Sequence, residues 1–218
     1  MTMSEFWREI FGNEQPVEVE VGPGTGTFIV AAARQCPHTN FFGIENSRSR
    51  AEHLGEAVHA HALRNVRVLN ADAACVIRNI VPTASVAAYH IYFPDPWWKR
   101  RHHRRRLFAP AFVAALGRTL VPGGRLFTAT DVDDVFELLE RTLSSNGVFA
   151  RDSNGRSMRS GPTAFERKGV ARGAVIHEAV FVRQRTAGAS TSIAAPITPA
   201  ESPSRLRRSG VRSSSLNT

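Results

Sequence analysis

Glu18-Val19-Glu20-Val21-Gly22-Pro23-Gly24-Thr25-Gly26-Thr27 is the stretch on which the reading of this chain turns. Pro16 opens a run, 17–21, in which polar and apolar residues alternate as they do in a strand. Three glycines follow at once, and then an alanine-rich stretch, 27–35, of helical character. Glycines between a strand and a helix permit positive φ and let a ligand approach the backbone closely. A plain tight turn could use the same residues. Counted from Gly22, the sixth position is Thr27, so the G-x-G-x-x-G spacing of dinucleotide folds is not met and a dehydrogenase is disfavoured. The spacing present is E-x-G-x-G-x-G.

Outward from this loop the chain alternates strand and helix. Residues 40–45 read as a second strand, 48–63 as a helix, 65–69 as a third strand and 73–80 as a short helix. The nine residues 85–93 are almost continuously apolar, as in a strand buried on both faces. Residues 107–120 read as a helix stopped by Pro122-Gly123-Gly124, 125–130 as a fifth strand, 133–145 as a helix and 174–182 as a late strand. This order predicts an α/β, Rossmann-like fold: a mostly parallel central sheet with helices on both faces.

The 218 residues suit one domain, expected over 1–185. Residues 186–218 are dominated by Ser, Thr, Ala, Pro and Arg, too little apolar surface to offset ordering, and are expected to form a disordered basic tail. The net charge is +9, of which Arg205, Arg207, Arg208 and Arg212 against Glu201 contribute +3. The body stays basic, and nucleic acid is the leading anionic partner. No apolar run reaches membrane-spanning length, and the N-terminus lacks a signal-peptide layout, so a cytoplasmic protein with no membrane partner is expected. Cys36 and Cys75 are read as reduced core residues, and no metal site is assigned.

Acidic residues end or follow the first three strands: Glu20, Glu45 and Asp72. Each by itself could be a solvated loop residue or a helix cap. Three in register, at the edge where open α/β sheets bind ligands, favour a cofactor site, and Glu45 could accept both ribose hydroxyls of an adenosine. The pattern E-x-G-x-G-x-G resembles the first motif of class I S-adenosylmethionine-dependent methyltransferases.

The most specific stretch follows the fourth strand: Phe93-Pro94-Asp95-Pro96-Trp97-Trp98-Lys99-Arg100-Arg101-His102-His103-Arg104-Arg105-Arg106. F-P-D-P-W-x-K-x-R-H-x-[KR]-R-R resembles the bacterial tRNA (guanine-N7)-methyltransferases. Ala129-Thr130-Asp131 is similar to that family's A-T-D, and Thr163-Ala164-Phe165-Glu166-Arg167-Lys168-Gly169 to its T-x-F-E-x-x-G. The resemblance spans roughly residues 7–185. The family commonly carries a longer basic segment before the first strand than the sixteen residues found here. The resemblance implies methyl transfer from S-adenosylmethionine to guanine N7 in tRNA, in the variable loop. It implies cofactor contacts from Glu20, Gly22, Gly24, Gly26, Glu45, Asp72 and Asp95, and substrate contacts from Lys99, Asp131, Thr163, Ala164, Phe165 and Glu166.

Guanine N7 carries a lone pair and no proton, so the transfer needs alignment rather than a general base. Asp95, between two prolines, is the candidate catalytic residue, because a carboxylate would balance the positive charge developing on the base or hold its N–H edge. Trp97 and Trp98 could stack on a base or anchor the loop. Six cations within 99–106, Arg104, Arg105 and Arg106 among them, are expected to bind phosphate rather than form a merely solvated face. His90, in an apolar strand, is read as structural. The competing readings are a methyltransferase acting on another substrate and a non-catalytic RNA-binding relative.

Overall fold

Strands β1 (Val17–Val21), β2 (Asn40–Glu45), β3 (Val66–Asn70), β4 (Val86–Tyr92), β5 (Leu120–Thr130), β6 (Phe149–Arg151) and β7 (His177–Arg183) form one sheet in the computed structural model, which describes residues 3–95, 108–159, 166, 170–171 and 173–185. Their order is β3-β2-β1-β4-β5-β7-β6. The first five run parallel, β7 is antiparallel to β5, and β6 is antiparallel to β7. The expected mostly parallel α/β sheet is therefore what forms. The helices are α1 (Met3–Phe11), α2 (Thr27–Gln35), α3 (Arg48–Ala60), α4 (Ala73–Asn79), α5 (Pro110–Thr119) and α6 (Asp133–Ser145).

Side-chain alternation divides the core between the two faces. Val17, Val19 and Val21 join Phe42, Ile44, Tyr89 and Ile91 under Trp7 and Phe11 of α1, Ile77 of α4, Leu116 of α5 and Leu139 of α6. On the other face Phe41 and Val66 pack against Phe28, Ile29 and Ala33 of α2 and Leu54 of α3. A third patch, Ala88, Phe127 and Val180, is covered by Tyr92 and Met158. Burying a side chain such as Phe11 contributes about 1.5–3 kcal/mol, which is why a nine-residue helix at the start of the chain is held to the sheet.

Two elements were not anticipated by the sequence reading, α1 and the three-residue β6. A third differs in extent. Pro122-Gly123-Gly124 lies inside β5, at an irregularity where the register with β4 jumps from Val86↔Leu120 to Ala88↔Arg125. Pro and Gly mark a bulge there, not a loop. The cysteines need correction as well: both are free, but Cys36 is half-buried and Cys75 exposed, because Cys75 sits on the outward side of α4 whose inward side is Val76 and Ile77. Among the described residues no helix is long and apolar enough to cross a membrane. The basic run 99–106, Trp97 and Trp98, Thr163, Ala164, Phe165 and the tail 186–218 lie outside the described residues.

Candidate active site

Parallel strands end on the same edge of a sheet, and the strand order sets their ligand-bearing ends side by side. Across the carboxyl edge the acidic residues therefore stand in the spatial order Asp72 (after β3), Glu45 (β2), Glu20 (β1), Asp95 (after β4) and Asp131 (after β5). Chain order reverses between β1 and β4, so Glu20 and Asp95 flank the topological switch point, where open α/β sheets hold ligands. The residues expected to hold the cofactor lie mainly on one side of that point and the substrate-contact candidate Asp131 on the other.

The glycine loop is shaped by its neighbours. Gly22 N–H bonds the Ile44 carbonyl at 2.9 Å, and Gly24 N–H bonds Glu45 Oε2 at 2.9 Å. Gly26 occupies the N-cap of α2 at φ 83°, and a Cβ there would lie 2.2 Å from Leu54 Cδ1. Gly24, at φ 57°, differs: a Cβ would meet nothing within 4 Å, so the loop's outer surface faces open space.

Glu20 is 4% exposed, and its Oε2 has no hydrogen-bond partner among the described residues. Burial raises its pKa to about 8, a backbone bond from Ile29 in the first turn of α2 opposes that rise, and the Glu45 charge adds to it. Glu45 is buried too, but both of its oxygens are engaged, Oε2 with Gly24 N–H and Oε1 with Ser47 N–H at 2.8 Å. Asp72 is exposed and caps α4, accepting the Cys75 N–H at 2.9 Å through Oδ1.

On the other side of the switch point, Asp95 is exposed, two residues beyond Phe93, whose φ is +51° and whose N–H bonds the Ala129 carbonyl at 2.7 Å. Asp131 is half-buried directly after β5. Beside it, His177 Nε2 meets Asp133 Oδ1 at 2.7 Å. Glu166 is buried, 2% exposed, in an ion pair with Arg159.

Sequence reasoning missed the polar layer beneath these groups. Glu18 Oε2 lies 2.7 Å from His90 Nε2, and His90 Nδ1 lies 3.0 Å from the Tyr92 hydroxyl. A carboxylate only accepts, so Nε2–H donates to Glu18, and in the neutral ring Nδ1 accepts a hydrogen bond from the Tyr92 hydroxyl. His90 stacks on Phe127 and is fully buried, in keeping with a structural role. The signal for this layer was present in the two glutamates of β1: a strand central in a sheet has no wet face for them, so they need internal partners. Arg159, by contrast, sits in an aperiodic polar segment with no local signal.

A hollow of about 590 Å³ lies against this layer, lined in part by Arg156, Ser157, Arg159, Glu166 and Glu178. Another, of about 660 Å³, lies at the amino edge of the sheet around Gln15, His59, Asn65 and Arg67 and carries none of the acidic residues.

Comparison with known proteins is consistent with this geometry. A family model described as "Putative methyltransferase" matches residues 14–179. The tRNA (guanine-N(7)-)-methyltransferase of Halorhodospira halophila is 35% identical over 185 residues, covering 82% of this chain and 80% of that protein. That of Nitrosococcus oceani is 37% identical over 175 residues, covering 80% and 74%. Among solved structures, the 16S rRNA methyltransferase KamB aligns with a TM-score of 0.60 at 16% identity, over 82% of this chain and 93% of its own. TrmN from Thermus thermophilus aligns with a TM-score of 0.56 at 21% identity, over 83% and 48%. The two structures establish the shared fold.

Proposed function

The chain belongs to the tRNA (guanine-N7)-methyltransferase family, and we propose on that footing that it methylates N7 of a guanine in the variable loop of tRNA, with S-adenosylmethionine bound at the ends of β1–β3. The observation that carries this reading is the division of acidic residues at the switch point, with Glu20 and Glu45 on one side and Asp95 and Asp131 on the other.

The residues present fit the cofactor. Gly24 opens onto space that a Cβ would occupy, and beside the loop Glu20 keeps a buried oxygen without a partner among the described residues. A carboxyl group held largely protonated by burial becomes a favourable partner once a cation or a hydroxyl donor arrives. S-adenosylmethionine, when bound, supplies an electrophilic methyl group on a positively charged sulfonium. Glu45 fixes the loop and retains lone pairs that can accept ribose hydroxyls. Asp72, already the cap of α4, has its second oxygen available for the adenine amino group.

On the substrate side no proton has to be removed from guanine N7, and the chain supplies position and charge. Asp95 brings a carboxylate to the side of the switch point where the base acquires positive charge, and such fixed charge lowers the barrier. Asp131 adds a second acceptor at the end of β5. Lys99, Arg104, Arg105 and Arg106 follow Asp95 in sequence and are assigned to tRNA phosphates. Thr163, Ala164, Phe165 and Glu166 complete the assigned substrate contacts.

Incubation with methyl-labelled S-adenosylmethionine and unmodified tRNA, followed by nucleoside analysis, tests the proposal. Label in 7-methylguanosine is the expected result, and label in any other nucleoside would replace it.

A further inference from the structure

We infer that Arg159, which nothing in the motif set includes, is a positioning residue that fixes the Asp95 loop against Glu166 and the start of β7, the strand paired with the end of β5; the inference rests on the function proposed above. Its side chain is 11% exposed. Nη1 pairs with Glu166 and Nη2 with Glu178, and the guanidinium lies 5.4 Å from the ring centroids of both Tyr92 and Phe93. Each contact belongs to a different part of the substrate side. Phe93 leads through Pro94 to Asp95. Glu166 belongs to the 163–166 segment. Glu178 stands opposite Ala129 in the β5–β7 ladder, two residues from Asp131.

The chemistry requires an arginine. A guanidinium is planar, presents separate N–H groups to two carboxylates, and can lie against aromatic rings while doing so. A lysine ammonium offers a point charge that does not reproduce this fork. Phe93 also needs restraint. A non-glycine residue at φ +51° persists only where its surroundings over-determine it. Here the Ala129 carbonyl holds its N–H and Arg159 faces its ring. Tyr92 is tied from below by His90 Nδ1, so the Arg159 layer continues into the Glu18–His90 pair at the sheet centre. Loss of Arg159 would free the turn that aims Asp95 and leave two neighbouring carboxylates, one of them buried, without their shared cation. The glycine loop and Glu45 make no contact with Arg159 in the contacts described, so cofactor affinity should be spared.

Three measurements on Arg159→Lys and Arg159→Ala test this. First, kcat for tRNA methylation should fall about tenfold or more in both, the equivalent of one lost charge-assisted hydrogen bond, while S-adenosylhomocysteine affinity stays within about twofold. Second, low-millimolar guanidinium chloride should raise the rate of Arg159→Ala and not that of the wild type. Third, the Phe93 amide should exchange with solvent about tenfold faster in Arg159→Lys, a readout that needs no substrate. If Arg159→Ala does not fold, Arg159→Lys carries the first and third measurements. An inactive wild type would contradict the proposed function and leave the amide exchange to judge Arg159. Unchanged exchange at Phe93, a kcat within twofold of wild type, or a loss of rate matched by an equal loss of cofactor affinity would each overturn the inference.

Discussion

From the end of β2 the Glu45 side chain reaches the glycine loop after β1, and its Oε2 accepts the Gly24 N–H at 2.9 Å while Oε1 holds the Ser47 N–H at 2.8 Å. One carboxylate thus shapes the loop and the entrance to α3, and it is the group assigned above to the ribose hydroxyls of the cofactor. Glu45→Ala is expected to weaken S-adenosylmethionine binding by about 1.5–3 kcal/mol and also to lower the melting temperature, because two backbone N–H groups lose their acceptor. Calorimetry and thermal unfolding check both parts. A folded variant with wild-type affinity would remove Glu45 from the cofactor site.

Glu20 makes the ligand-free protein sensitive to pH. Burial raises its folded pKa from 4.5 to about 8, so its stabilising protonated form is fully present below 4.5 and is lost as pH rises through about 8. Glu20→Gln mimics the protonated acid. Relative to that variant, the wild type should lose about 1.4 kcal/mol of stability per pH unit between those limits and level off above them. Urea unfolding of both ligand-free proteins near pH 5, 7 and 9 measures the gap. A constant gap would mean that Glu20 ionises freely.

The loop glycines should separate stability from binding. Gly26→Ala places a Cβ 2.2 Å from Leu54 Cδ1 at φ 83° and should cost about 2–4 kcal/mol of folding stability through strain and overpacking. Gly24→Ala meets nothing within 4 Å, so its cost should be confined to about 1 kcal/mol of backbone strain. Its larger effect should fall on S-adenosylmethionine affinity, since the methyl group fills the open side of the loop. Denaturant midpoints together with calorimetry distinguish the two. Equal losses of stability would contradict the assignment of open space to Gly24.

Where local signals were strong, the sequence carried the elements to the residue: β1, α2, β2 and α6 have the bounds read from it. The carboxyl-edge acids were also legible, because position after a strand is a local property and the sheet turns it into proximity. Less was legible where tertiary contacts decide. Phe6, Trp7, Ile10 and Phe11 recur at helical spacing, yet the sequence reading placed no helix there; what holds α1 is its packing against the sheet. Pro122-Gly123-Gly124 has loop chemistry, yet it lies inside β5, as the interruption between two pairings with β4, Leu120 with Val86 and Arg125 with Ala88. Glu166 was read as a substrate contact, and the partner that buries it, Arg159, lies in a segment with no period to reveal it. The glutamates of β1 signal a need for buried partners, but the identity of the partner, His90 for Glu18, is not legible, since pairing across 72 residues has no local signature.

Asp95 is exposed at the end of the strained turn at Phe93, and its carboxylate is assigned to the transition state rather than to binding. Asp95→Asn keeps the shape and removes the charge. Single-turnover methylation at saturating tRNA and cofactor should slow about a hundredfold, in line with the loss of one preorganised electrostatic group, while tRNA affinity changes little. A wild-type rate in the Asn variant would take Asp95 out of the chemistry.

Guanine N7 is the atom on which the proposed reaction depends, and it can be replaced without disturbing tRNA pairing. Two transcripts of the same tRNA, one carrying guanine and the other 7-deazaguanine at the variable-loop position, are incubated with the protein and methyl-labelled S-adenosylmethionine. The guanine transcript should take up one methyl group per molecule, recovered as 7-methylguanosine, and the deaza transcript none. Equal labelling of both transcripts would show that the methyl group goes elsewhere, and would contradict guanine N7 as the target.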